Sequence, residues 1–428
     1  MKTKGNLGFF AIMFLWLTIG IGIFSSDAFS AAFAIQLQGT KETALSTNAI
    51  AHTEGPASNY YNPALISYLE GTQFQAGVTY IGPVSSFQSS QTSRSAEAEK
   101  QNFFIPNLFA THRLDEKITV GLGVFTPFGL GTDWGKDWEG RYSATNGEVS
   151  TCVINPNISI KVTDTLAISA GVDQMLGEAT FEQNIPLAAY GITEDGETRI
   201  EGDGDGHGYN IGLACLPVED WSFGLSYRSQ INLELDGKTT NSLPDSTPAI
   251  LQPLLEAAIP PETNTTCEFI LPPQASAGVC FQGIDRLAIE LGLRWEGWSA
   301  VEQNEFVFDQ PIAGNNSMVI EKHWRDTIAY NLGGKFNIDE TLTLLAGYSK
   351  EENPVPSDWF EPIVMGMDKN VFAFGVNKDL DAFEVGASYY YEIYEDRQIT
   401  ADTKAAGTPA GEYGTEVYVV AVSASCKF

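Results

Sequence analysis

The sequence predicts an all-β chain: a transmembrane antiparallel β-barrel of about fourteen strands with an N-terminal plug inside its lumen. Three observations predict it. Apolar and polar residues alternate with period two along most of the chain. Short polar turns alternate with long polar connections. A segment with the character of an export signal precedes the first strand. A chain of 428 residues is long for one ordinary soluble domain and usual for a large barrel.

The export segment comes first. Lys2 and Lys4 form a positive start, an apolar stretch runs from about Leu7 to Phe24, and small residues follow from Ser25 to Ala34. That order is a secretory signal peptide, with cleavage expected between Ser30 and Ala34. We assign residues 1–30 to the signal, 31–71 to a plug and 72–428 to the barrel. Beyond the signal no stretch is long and apolar enough for a helical span, so a membrane could be crossed only by strands.

The strands are read from their alternation. Leu287, Ile289, Leu291, Leu293 and Trp295 alternate with Ala288, Glu290, Gly292, Arg294 and Glu296. Similar runs start at Trp221, Thr327 and Phe383. Each gives one apolar and one polar face. Short turns are expected at Leu114–Lys117, Thr163–Thr165, Pro217–Asp220, Gln282–Asp285, Asn337–Glu340 and Lys378–Asp381. Long polar connections are expected around 83–100, 129–148, 182–206, 237–265, 310–323, 351–368 and 397–412. An even strand number, short turns on one side and long loops on the other is the pattern of a Gram-negative outer-membrane barrel. The last strand ends on Phe428, and a terminal aromatic of this kind resembles the signal read by the barrel-assembly machinery.

Residues from about Ala31 to Gly71 lack alternation. A barrel of fourteen strands is wide enough to need filling, which places this segment inside.

Composition excludes other classes. The formal net charge of −30 argues against nucleic acid, whose phosphates need Lys and Arg. Acidic loops would be solvated, or bridged to lipopolysaccharide by divalent cations. Five cysteines without a CxxC indicate neither zinc nor redox chemistry. Asp203-Gly-Asp205-Gly-His207 lacks the remaining ligands of a calcium loop and reads as a solvated loop. With no HExxH and no GxSxG, no enzyme and no metal site is expected.

Several stretches together resemble the FadL/TodX family of outer-membrane transporters. They are Asn62-Pro63-Ala64-Leu65, the run from Thr126 to Leu166 with Pro127, Trp134, Trp138 and Asn155-Pro156-Asn157, then Trp295–Ser299, and the hairpin from His323 to Pro356. The resemblance spans nearly the whole chain beyond the signal. It implies a fourteen-stranded barrel, a plug carrying Asn62, Pro63 and Ala64, and passive transport without a cofactor. It further implies capture of a long-chain fatty acid or other hydrophobic ligand in an outer groove, and exit through a lateral opening at a kink in the third strand. Uptake of neutral aromatic or aliphatic hydrocarbons by the same route stays open, as does a general diffusion porin, which would have no plug.

Candidate transport residues follow. Leu251, Leu254, Leu255 and Ile259 recur at helical spacing between Pro248 and Pro260, giving a short amphipathic helix suited to a capture groove. Gly121 and Gly123 weaken the third strand and Pro127 removes a ladder donor, so the lateral gate is expected within Gly121–Pro127. Alternation turns Arg228, Arg294, Arg325 and Lys335 into the lumen. Arg294 and Arg325 are the candidate contacts for a ligand carboxylate, and Glu290, Glu296 or Asp326 the alternative partners. A second basic contact that the resemblance implies near the fifth strand is missing, since Gly177, Glu178 and Glu182 stand there.

Overall fold

The computed structural model describes residues 32–428, so the expected signal over 1–30 lies outside the described residues. Fourteen antiparallel strands form one closed wall. They are β1 (Thr72–Ser89), β2 (Phe103–Arg113), β3 (Ile118–Phe125, resuming over Gly129–Asp133), β4 (Asn146–Thr163), β5 (Leu166–Ile185), β6 (Gly196–Val218) and β7 (Trp221–Arg228 and Ile231–Ser242). The second half comprises β8 (Glu262–Leu271 and Gln274–Ile284), β9 (Leu287–Glu296 and Gln303–Ile312), β10 (Asn315–Glu321 and Thr327–Asn337), β11 (Leu342–Glu351), β12 (Lys369–Asp379), β13 (Phe383–Tyr394) and β14 (Gly411–Lys427). β1 and β14 close the wall, pairing without interruption from Gln73↔Lys427 to Ser89↔Gly411.

Alternation produces this wall because a hydrocarbon surrounding demands two things at once. Outward side chains must be apolar, and every backbone polar group must find its partner in a neighbouring strand. On β9, Leu291 and Leu293 are exposed while Glu290 and Arg294 are buried in the lumen. The tight turns fall where the sequence placed them, for example between Arg113 and Ile118 and between Asp379 and Phe383.

The long connections are shorter than expected. β5 and β6 stay paired up to Ile185↔Gly196, and β9 turns into β10 at Ala313–Gly314, so 182–206 and 310–323 are mostly ladder. Asp203 to His207 likewise lies within β6. Above the bilayer both strand faces meet polar surroundings. The ladder continues there without needing an apolar face, and the alternation that reveals a strand disappears.

The chain before β1 fills the lumen. It holds two short helices, α1 (Thr40–Ala44) and α2 (Ser58–Tyr61), and a 3-10 turn over Pro63–Tyr68. The Asn62-Pro63-Ala64 motif has a local cause. The Asn62 side chain accepts from the Ala64 amide at 3.2 Å and caps the turn, while Pro63 starts it without needing a donor. Asn62 Nδ2 then donates to the Ile50 carbonyl at 2.7 Å and to the Leu213 carbonyl of β6 at 3.1 Å, tying plug to plug and plug to wall.

The plug sits so close to the wall that side chains are excluded at certain wall positions. A Cβ on Gly224 would lie 1.8 Å from the Ile50 carbonyl oxygen, and one on Gly347 would lie 2.3 Å from the Leu45 carbonyl carbon. These glycines are required by close backbone approach. Polar contacts complete the seat: Asn331 donates to the Ser46 carbonyl at 2.7 Å, and Glu290 accepts from the Ile50 and Ala51 amides at 2.7 and 3.0 Å.

Candidate functional site

The wall is interrupted at β3. Its lower part pairs with β2 up to Leu108↔Val124 and with β4 up to Phe125↔Val153. Thr126, Pro127 and Phe128 then leave the ladder, and Gly129–Asp133 resumes pairing with β4, with the Glu99 amide donating to the Asp133 carbonyl at 2.7 Å on its other side. Among the described residues no register joins Phe103–Asn107 of β2 to Gly129–Asp133 of β3. Pro127 has no amide proton for a neighbouring strand, which makes the interruption tolerable at this position.

The plug covers the interruption from inside. Ala34 and Phe128 form an antiparallel bridge. The Ile35 amide donates to the Pro127 carbonyl at 2.7 Å, and the Gly129 amide donates to the Phe33 carbonyl at 2.9 Å. Gln38 adds a side-chain bond to the Thr126 carbonyl at 2.6 Å. Ile35 and Leu37 pack beside Ile81, Phe103 and Ile105, so β1 and β2 also lean on this stretch.

Above the bridge lies an apolar chamber. Its floor is an aromatic cluster in which the Phe33 ring lies 5.1 Å from Trp298, 5.9 Å from Trp324 and 5.9 Å from Phe128. Val149, Phe181 and Phe269 form the sides, and Ile363 and Val364 enter from the 352–368 connection. The remaining cavity is about 20 Å³, too small for anything beyond a water molecule, so an occupant has to displace side chains. One cation lines this cavity: Lys322, whose Nζ meets Glu361 Oε1 at 2.5 Å, both side chains nearly buried.

Below the bridge the lumen changes character. Arg294 pairs with Glu296 at 3.0 Å and with Glu351 at 3.2 Å, and Lys369 pairs with Glu351 at 3.5 Å and Glu392 at 2.8 Å. Gln36 donates to Glu296 at 3.2 Å and Trp298 donates to its other oxygen at 2.8 Å, so the charged layer also touches the plug and the chamber floor. A polar cavity of about 30 Å³ beside Gln36, Tyr60, Arg228 and Arg294 is of water size.

A plugged barrel with an interrupted third strand and an apolar chamber above the break invites comparison with known proteins. Residues 21–428 match the family model described as outer membrane protein transport protein (OMPP1/FadL/TodX). The chain belongs to the OMPP1/FadL/TodX family. It is similar to a long-chain fatty acid transport protein of Escherichia coli O6:H1, 23% identical over 407 residues, covering 88% of this chain and 90% of that protein. Outer membrane protein P1 of Haemophilus influenzae is 23% identical over 336 residues, covering 68% of this chain and 70% of its own length. Among solved structures, a Pseudomonas aeruginosa FadL homologue aligns with a TM-score of 0.83 at 18% identity, over 93% of this chain and all of that one (100%). The Pseudomonas putida toluene transporter TodX aligns with a TM-score of 0.73 at 18% identity, over 91% of this chain and 98% of its own. As a member of the OMPP1/FadL/TodX family the protein is a Gram-negative outer-membrane transporter of hydrophobic compounds, and its role is transport, not catalysis.

The family fold places the residues singled out in the sequence as follows. Pro127 sits in the wall break, but Gly121 and Gly123 do not. Both lie in the paired part of β3, and a Cβ on Gly121 would fall 1.9 Å from Asn59 Oδ1 of the plug. These glycines make room inside the wall, and the interruption of the ladder lies at Thr126–Phe128. Arg294 faces the lumen as expected, with Glu296 and Glu351 as its own anions. Arg325 is exposed, contrary to the expected lumen position. β9 leaves the ladder over residues 297–302 and β10 over 322–326, and this unequal excursion ends the alternation that turned Arg325 inward. It stands near Arg397, whose guanidinium burial pushes down to about 10, with Asp368 acting upward and Arg325 downward.

The expected helix is α3 (Gln252–Ala258). Leu255 is fully buried and, with Leu251, packs on Leu187 and Ile192 of the neighbouring connection. Ile259 is half-buried, whereas Ile250 and Leu254 stand out at 87% and 60% exposure. Asn62, Pro63 and Ala64 lie in the plug. Lys322, Glu361, Phe33 and Trp324 escaped the sequence reading. Lys322 lies where β10 breaks, and its partner is 39 residues away. The failed alternation after Ile320 was the one available signal.

Proposed function

We propose that hydrophobic small molecules, either long-chain fatty acids or neutral hydrocarbons, pass from the outer surface to the chamber and leave sideways through the break in β3. One observation carries this reading: the Phe33 ring forms part of the chamber floor while the Phe33 backbone and its neighbours close the break. Filling so small a chamber has to move Phe33, and moving Phe33 loosens the Ala34–Phe128 bridge. Burying about 200 Å² of apolar ligand surface supplies about 5 kcal/mol, which exceeds the net worth of two or three backbone hydrogen bonds. The axial route is closed to an apolar molecule, because it would have to enter the paired charges at Arg294, Glu351 and Lys369. Leu254 on α3 and Ile250 just before it give the first landing surface, and no energy source or cofactor is needed. Phe428 serves as the contact for the assembly machinery, and the acidic loops face lipopolysaccharide.

The test uses the bridge itself. Ala34 and Phe128 are bridge partners, at a separation a disulfide can span. The double variant Ala34→Cys/Phe128→Cys is expected to bind hydrophobic ligand in both redox states, but to take it up into cells or proteoliposomes only when reduced. Equal uptake by the oxidised and reduced forms would refute the lateral route.

A further inference from the structure

The chamber is mostly apolar, and the polar side chains at it are the Asn304 amide, one charged pair and one unused donor. Lys322 is bound to Glu361 at 2.5 Å, with side-chain exposures of 5% and 10%. The Trp324 side chain lines the same cavity, and its indole N–H is buried without a protein partner. The Lys322 Nζ lies 5.7 Å from the centre of the Trp324 ring, so pair and donor are neighbours. We propose that the chamber selects uncharged hydrophobic molecules carrying at most one neutral acceptor oxygen, and that Glu361 sets this selectivity by keeping Lys322 neutralised. This rests on the chamber being the ligand site.

The argument is electrostatic. A ligand carboxylate can reach Lys322 in two ways. It can displace Glu361, which leaves a buried carboxylate without its cation, or it can join the pair as a second anion in a nearly dry cavity. Both are unfavourable, because an unpaired or like charge gains little solvation there. An uncharged ligand leaves the pair intact. Its body displaces aromatic and aliphatic side chains, and an alcohol, ketone or ester oxygen can accept the Trp324 N–H that otherwise stays unpaired. Arg294 offers a carboxylate no alternative, since it already carries Glu296 and Glu351 below the chamber. Arg325 is exposed outside it.

The test compares matched ligands, 1-dodecanol and dodecanoate, on the purified full-length protein at pH 8. Wild type is expected to bind the alcohol at least about tenfold more tightly, the ratio a lost charged hydrogen bond produces. Glu361→Gln should tighten dodecanoate about tenfold by freeing Lys322, with dodecanol changed by less than about twofold. The double variant Lys322→Met/Glu361→Met should keep dodecanol binding and gain nothing for dodecanoate, which separates selectivity from folding. Trp324→Phe should weaken dodecanol about fivefold relative to dodecane, the worth of one neutral hydrogen bond. A wild type that prefers dodecanoate, or a Glu361→Gln variant that binds it no better, overturns the proposal while leaving the lateral route standing. Binding of none of these ligands would remove the chamber as a site, and both readings with it.

Discussion

The two halves of the lumen are built on opposite principles. Above the bridge, apart from the Lys322–Glu361 pair, the contacts are mostly between apolar side chains, with Phe33, Trp298 and Trp324 packed edge to face. Below it, Arg294 and Lys369 share the carboxylates of Glu296, Glu351 and Glu392, and the plug backbone rests directly on wall glycines such as Gly224 and Gly347. An apolar side-chain contact can be exchanged for a similar one with an apolar ligand at little cost. A buried ion pair or a backbone seated without a gap cannot. Under the proposed lateral route, the segment that has to give way is the short stretch from Phe33 to Gln38, where the two halves meet.

Three substitutions or conditions probe that contrast, beginning with the strongest. Gly224→Val puts a side chain where the Ile50 carbonyl lies, with only backbone atoms in the way. The plug cannot stay seated, so a steady ion conductance in planar bilayers, or failure to form a heat-modifiable barrel, is the expected outcome. A silent, stable variant would show that the lower lumen is as adaptable as the upper. Arg294→Met removes the cation between Glu296 and Glu351 and should cost about 3–5 kcal/mol of barrel stability in a denaturant titration. Pairing it with Glu351→Gln should recover part of that loss; no recovery would mean that the charged layer is not a coupled unit.

The smallest effect is at the surface. Arg141 and Asp195 join two outer connections at 2.7 Å. Burial raises the Asp195 carboxyl, but hydrogen bonds from Arg141, Tyr142 and Asn184 outweigh it and hold the pKa below its ordinary 3.8. A carboxyl depressed on folding stabilises above its unfolded pKa, and that contribution is lost as the pH falls through the lower folded value. Protease sensitivity of the outer loops should therefore rise only below about pH 4, with the wall unaffected. Loosening near neutral pH would contradict this assignment.

Much of the wall was legible because lipid imposes a rule on sequence. Leu291 and Leu293 had to point outward, so Arg294 had to point inward, and both do. Where lipid ends, the rule ends: Gly196 to Asp205 and Asn315 to Glu321 are strands that read as loops. The site was less legible for a related reason. Pro127 announced the break, but the parity that assigned Arg325 to the lumen does not survive the excursion at 322–326. Lys322 and Glu361 meet only through the fold, and their spacing gives no periodic signal. Phe33 lies at the end of a segment without alternation, where its role depends on the aromatic rings that other strands bring to it.

The seam between β1 and β14 also bears on the order of assembly. It joins Gln73 to Lys427, nearly the whole length of the chain apart, so it is the contact with the greatest loop-closure cost and forms only once the last strand is in place. The plug precedes β1 and is made first. Its backbone rests against wall glycines such as Gly224, Gly333 and Gly347, so plug and wall meet without a gap once the seam is closed. A plug laid in the open sheet before the seam zips reaches that fit without sliding past the wall, and the finished barrel then encloses its own starting point.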